Sequence, residues 1–165
     1  MSTPFDVPIF PQSGGGLQPA AAFAAYQSGT VSAVADENFV YNVITMGSDH
    51  FDGEYFTAPK DGLYQFNWVN YGGKANVTRG DAEILVDRSG AATIMICWCL
   101  KYMPTHETEA PGTNTGSMST VYRIEKGNKV YVKSPTGWQM TLSPNSSADP
   151  GNQPSCWFSG FYISP

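Results

Sequence analysis

Two short segments hold most of the side chains able to bind a cation or move a proton. Asp49, His50, Asp52 and Glu54 lie within six residues of one another, and His106, Glu107 and Glu109 within four. Their carboxylates make up five of the chain's 14 acidic residues, and His50 and His106 are its only histidines. Hard cations such as Ca2+ take carboxylate and carbonyl oxygens presented at loop spacing. Each segment therefore reads either as a cation site or as a solvated turn, with Asp52 capping Gly53 in the first. The solvated turn is the favoured reading of both, and the residues indicate no particular metal and no other cofactor. Trp138, within Thr136-Gly137-Trp138-Gln139, reads as an exposed platform for a sugar face or, with more weight, as a core or interface anchor.

Catalytic chemistry is poorly supplied. No Gly-x-Ser-x-Gly elbow is present, and neither histidine has a local nucleophile and acid arranged around it. The chain is therefore expected not to be an enzyme. Cys97, Cys99 and Cys156 are odd in number and too few for a disulfide scaffold. Cys97 and Cys99 are two apart in a strand-like run, so both side chains leave one face, with alpha carbons about 6.6 Å apart. Parallel side chains at that spacing make a poor disulfide. A metal held by two thiolates lacks the remaining ligands of a four-coordinate site. Buried thiols without a bridge are expected, although a Cys156 link to either remains permitted if their strands are neighbours. Asn76-Val77-Thr78 and Asn145-Ser146-Ser147 are glycosylation sequons, which matter only on a eukaryotic secretory route.

The elements that must carry these residues are short strands. Residues 1–19, with Phe5, Pro8, Pro11 and Gly14 to Gly16, show no periodicity and read as an extended arm or linker. From residue 20 to 165 turn signals recur at Asp52-Gly53, Lys60-Asp61-Gly62, Arg88-Ser89-Gly90 and Lys126-Gly127-Asn128. Between them lie β-rich runs at residues 22–26, 30–34, 39–45, 62–68, 82–87, 91–102, 119–125, 129–133 and 138–142. The last run, 157–165, reads as a central strand because an exposed aromatic tail would fray and aggregate. Residues 20–25 are the one helix candidate. This pattern predicts an antiparallel sandwich or barrel, and the jelly roll suits the length. Tyr64, Phe66, Trp68, Phe158, Gly160 and Phe161 are predicted to lie in the core or at a subunit interface.

Composition bounds the partners. The 165 residues suit one domain. Charged residues are 14%, against about 25% in ordinary domains, which suggests that association covers part of the surface. The net charge is −5 and the nine Lys and Arg form no cluster, so nucleic-acid binding lacks electrostatic footing. No run approaches the roughly 18 apolar residues of a membrane helix, and no secretory signal is visible at the start.

Several segments resemble the C1q-like globular domain. Gly62-Leu63-Tyr64-Gln65-Phe66 matches that family's Gly-x-Tyr-x-Phe, and Phe158-Ser159-Gly160-Phe161 matches its closing Phe-Ser-Gly-Phe. Val43-Ile44-Thr45 and Asp49-His50-Phe51-Asp52 look like its Val-Leu-Thr and Asn-His-Tyr-Asp segments. Residues 121–132, around Glu125-Lys126-Gly127-Asn128, resemble its Leu-x-Leu-x-x-Gly-Asp-x-Val hairpin. Met46, Trp68 and a shortened turn between Phe51 and Phe56 depart from the pattern and suggest a divergent member. Gly14 to Gly16 is not collagen, which needs glycine at every third position, so a collagen stalk is excluded within this chain. The resemblance implies an all-β jelly roll of about ten antiparallel strands, shared with the tumour-necrosis-factor ligands. It further implies a secreted, extracellular, non-enzymatic homotrimer or heterotrimer that binds carbohydrate, microbial-surface or protein ligands. Some members bind calcium near the trimer axis, but those ligands do not map onto this sequence. A structural or assembly protein, in which the oligomer is itself the function, is the alternative, and the arm supports it. Recognition is expected in the Asp49–Glu54 and His106–Asn114 loops, with Trp138 next in line.

Overall fold

Alternation of period two, which sends successive side chains to opposite faces of a sheet, runs through the longest strands. Gly62, Tyr64, Phe66, Trp68 and Asn70 are buried, and Leu63, Gln65, Asn67 and Val69 between them are only partly so. The computed structural model describes residues 21–28, 31–33, 36–47, 49–70, 79–102, 116–135, 140–142 and 154–165. The expected arm, His106, Glu107, Glu109, Trp138 and both sequons lie outside them. The described residues hold eleven strands and no helix. These are β1 (Ala22–Ser28), β2 (Val31–Ala33), β3 (Val43–Met46), β4 (Phe56–Thr57), β5 (Gly62–Asn70), β6 (Arg79–Asp87), β7 (Ile94–Tyr102), β8 (Gly116–Ile124), β9 (Lys129–Lys133), β10 (Met140–Leu142) and β11 (Pro154–Ser164).

Two antiparallel sheets make the sandwich. One runs β3-β1-β11-β5-β8 and the other β4-β9-β6-β7, with β10-β2 as a small separate pair. β11 is central, pairing with β1 on one side and β5 on the other. That position explains how so aromatic a strand is accommodated.

The alanine-rich helix candidate is a strand. Residues 22–28 form β1, which pairs with β11 from Ala22↔Phe161 to Ser28↔Pro154. Phe23 and Ala25 are buried and Ala22 and Ala24 half-buried, a strand pattern. Alanine's helix propensity is a weak prior, and six residues are too few to repay helix nucleation. The β11 edge offers ladder hydrogen bonds instead. The strand expected over 39–45 is also shorter, beginning only at Val43. Phe39 and Tyr41 nonetheless reach the core, because their N–H groups donate to Val132 O (2.9 Å) and Gly53 O (2.7 Å).

The core is aromatic. The Phe23 ring stacks on Phe51 (4.6 Å between centroids) and Phe56 (4.8 Å) and meets Phe158 edge-on (4.9 Å). Each such ring contributes about 1.5–3 kcal/mol by leaving water. Gly160 makes the packing feasible, since a Cβ there would lie 2.7 Å from both the Phe23 and Phe66 rings.

Of the residues expected in the core or at a subunit interface, Phe161 is the one outside the core. Tyr64, Phe66, Trp68, Phe158 and Gly160 are buried, but Phe161 faces outward, 42% exposed. It is one residue from Gly160, and one step along a strand changes the face.

Candidate functional site

The segment between β3 and β4 is a turn anchored on the core. Phe51 is its buried plug, bridged to Phe56. Gly47 adopts a left-handed φ of +79°, and a side chain there would collide with the Ala22 carbonyl. Around Phe51 the polar groups satisfy one another. Asp52 Oδ1 accepts from the N–H groups of Glu54 (2.9 Å) and Tyr55 (2.7 Å). Asp52 thus caps the residues after Gly53 rather than Gly53 itself. Asn38 Nδ2 donates both to Glu54 Oε1 (2.6 Å) and to Tyr55 Oη (2.7 Å). His50 is half-buried and held through its backbone, its N–H on Gly47 O and its carbonyl accepting from Thr57. Asp49 is exposed.

This arrangement is a structured polar loop. Among the described residues no three His, Cys, Asp or Glu side chains come together as metal ligands. Of the carboxylates at Asp49, Asp52 and Glu54, the last two build the turn and Asp49 is exposed.

Beside the loop stands an aromatic pair that the sequence reading missed. The Tyr55 and Tyr131 rings lie 5.2 Å apart, and Lys129 Nζ sits 5.1 Å from the Tyr55 centroid. Burial, then the neighbouring Glu54 carboxylate, push the Tyr55 phenol up to about 12. The signal was present in Lys129-Val130-Tyr131-Val132-Lys133, where buried Val130 and Val132 force Tyr131 to the outer face.

A second surface is the outer face of the five-stranded sheet. Trp157 (41% exposed), Phe161 and Ile163 (46%) stand on β11, and Val121 (52%) on β8. Registers align them in rows: Val43, Tyr26, Trp157 and Val69 in one, and Ala22, Phe161, Gln65 and Val121 in another. Between the rows runs a polar seam. Asn67 Oδ1 accepts from Ser119 Oγ (2.9 Å) and from Gln65 Nε2 (3.2 Å). Met95 and Trp98 are exposed on β7 in the other sheet.

The cysteines form no disulfide. Cys97 and Cys99 are half-buried and packed against the core, and Cys156 is fully buried. β7 and β11 belong to different sheets, so their strands are not neighbours.

No protein-family model matches the sequence and no curated protein matches it. Solved structures do. The globular domain of zebrafish complement 1qA is 17% identical, with 87% of this chain and 97% of that one covered and a TM-score of 0.61. The Eiger tumour-necrosis-factor structure from S. frugiperda is 10% identical over 89% of this chain and 94% of its own, at a TM-score of 0.66. Murine APRIL is 9% identical over 87% and 99%, at 0.56. At such identities the likeness is one of fold. The chain has the jelly-roll fold of the C1q and tumour-necrosis-factor structures.

Proposed function

We propose that this chain is a non-enzymatic binding module that works outside the cell as a homotrimer. The outer face of the five-stranded sheet is its self-association surface. The Asp49–Glu54 loop, with the His106–Asn114 loop and Trp138, presents the recognition surface to a carbohydrate, microbial-surface or protein ligand. One observation carries the reading: Trp157, Phe161 and Ile163 project to solvent from the central strand of a sheet, with Val121 close by on β8. Large apolar side chains exposed together on one sheet face mark an interaction surface. Three linked copies of a weak site then bind by avidity. The low charge content supports a covered surface.

Sedimentation equilibrium at micromolar concentration is expected to return about three times the 17.9 kDa chain mass. A folded monomer would overturn the assembly. A glycan array probed with the oligomer, with and without Ca2+, is expected to show specific sugar binding. Met95 and Trp98 favour a second reading, because a second apolar surface permits contacts that continue beyond a closed ring. Growth into larger particles with concentration, without glycan binding, would make the chain a structural or assembly protein.

A further inference from the structure

We infer that the Gln65–Asn67–Ser119 seam on the outer face of the five-stranded sheet sets the register and number of copies in the assembly. The inference rests on the self-association proposed above and assigns residues within it. The seam is a polar stretch between apolar side chains, continued by Ser159, which β11 places opposite Asn67, and bordered by Ser117 opposite Val69. Phe161 and Val121 share a row with Gln65, and Trp157 and Val69 form the row beyond Asn67 and Ser119. β5 places Gln65 and Asn67 on one face two residues apart, and the β5–β8 register places Ser119 directly opposite Asn67. One amide oxygen, Asn67 Oδ1, gathers both donors.

Such a group on a surface destined for burial is costly unless its hydrogen bonds are met. The internal pairing meets part of that need within one copy. The rest is met when a neighbouring copy brings a polar group opposite the seam. A neighbour displaced by one row, about 7 Å along the strands, would set Phe161, Val121 or Trp157 against the amides instead. The penalty for that mismatch selects one arrangement from several that apolar contact alone would accept. A single buried polar residue acts in this way in coiled coils, fixing register and stoichiometry at a cost in stability. Partners that share the apolar rows but lack a matching polar group are rejected by the same penalty.

The test compares the full chain with Asn67→Leu and Ser119→Ala by sedimentation velocity and native mass spectrometry over a hundredfold range of concentration. Both positions lie on the outer face, outside the core, and far-ultraviolet circular dichroism checks that each variant keeps its strands. The wild type is expected to give one stoichiometry. Asn67→Leu is expected to associate at least tenfold more tightly and to give two or more stoichiometries. Ser119→Ala, which removes one donor without adding bulk, is expected to broaden the distribution without tightening it. A single wild-type stoichiometry kept by both variants would overturn the register role and leave the assembly standing. A monomeric wild type would overturn the assembly and the seam with it.

Discussion

Tyr41 and Trp68 show how the core tolerates polar atoms. Tyr41 Oη and Trp68 Nε1 are both buried, and neither has a hydrogen-bond partner of good geometry. Burial, then the Cys156 thiol, raises the Tyr41 phenol's pKa well above its ordinary value, and the nearby indole N–H of Trp68 lowers it by less. A hydroxyl that gains no bond inside the protein has lost its water for nothing, so Tyr41→Phe should cost little. We expect its urea midpoint to correspond to a stability within about 1 kcal/mol of wild type, on either side. Phe158→Ala should instead lose about 3–5 kcal/mol.

Tyr55 makes a second residue-scale prediction. Its phenol titrates near 12 in the folded chain and near 10 unfolded. Below pH 10 both states are neutral and the stabilisation is fully present. Between pH 10 and 12 the unfolded state ionises first, so stability falls as pH rises. Lys133, raised by its 2.5 Å ion pair with Asp36, and Tyr41 act in the same direction. Unfolding free energies measured across that window should decline, and Tyr55→Phe should flatten the decline. An identical slope in the variant would remove Tyr55 from the account.

At the scale of elements, Gly160→Ala is the sharpest probe of the sandwich. The added methyl meets the Phe23 and Phe66 rings at 2.7 Å, and overpacking of this kind costs typically 1–3 kcal/mol. A thermal midpoint unchanged from wild type would mean that the rings move aside freely. This element also shows what the sequence could reveal. Tyr64, Phe66 and Trp68 were readable as buried because alternation leaves a large ring at every second position of β5; β11 carries rings on both faces, and Gly160 against the Phe23 and Phe66 rings marks the inner one, with Phe158. β1 carried two readings, a β-rich run over 22–26 and a helix candidate over 20–25, because Ala22, Ala24 and Ala25 have no strong β signal of their own; Phe23 and the ladder of β11 decide for the strand. Phe161, one step along the strand from Gly160, falls on the outer face, which leaves it the interface part of the core-or-interface expectation. Of the candidate site, the Asp52 turn was legible from Asp52-Gly53, whereas the Asn38 bonds to Glu54 and Tyr55 join residues 16 and 17 positions apart. Tyr131 is farther still along the chain. No local pattern announces such a meeting.

At the scale of the whole molecule, strands from opposite ends of the chain lie side by side, β1 against β11. Such non-local pairing folds slowly, in milliseconds to seconds. In the assembly proposed above, Phe161 lies at the contact between subunits. Phe161→Glu should leave the subunit's strands intact and shift the trimer to monomer at micromolar concentration, read by sedimentation equilibrium. An intact trimer in that variant would move the interface off β11.

The three thiols sit at two depths, and that difference makes the chain its own reporter of motion. Cys97 and Cys99 lie half-covered on β7, an edge strand, whereas Cys156 is sealed between the sheets. A thiol-specific reagent should reach the first two through small local openings and Cys156 only when the sandwich parts. Timed alkylation with mass mapping would then separate fraying of one border from rupture of the whole, without introducing any label.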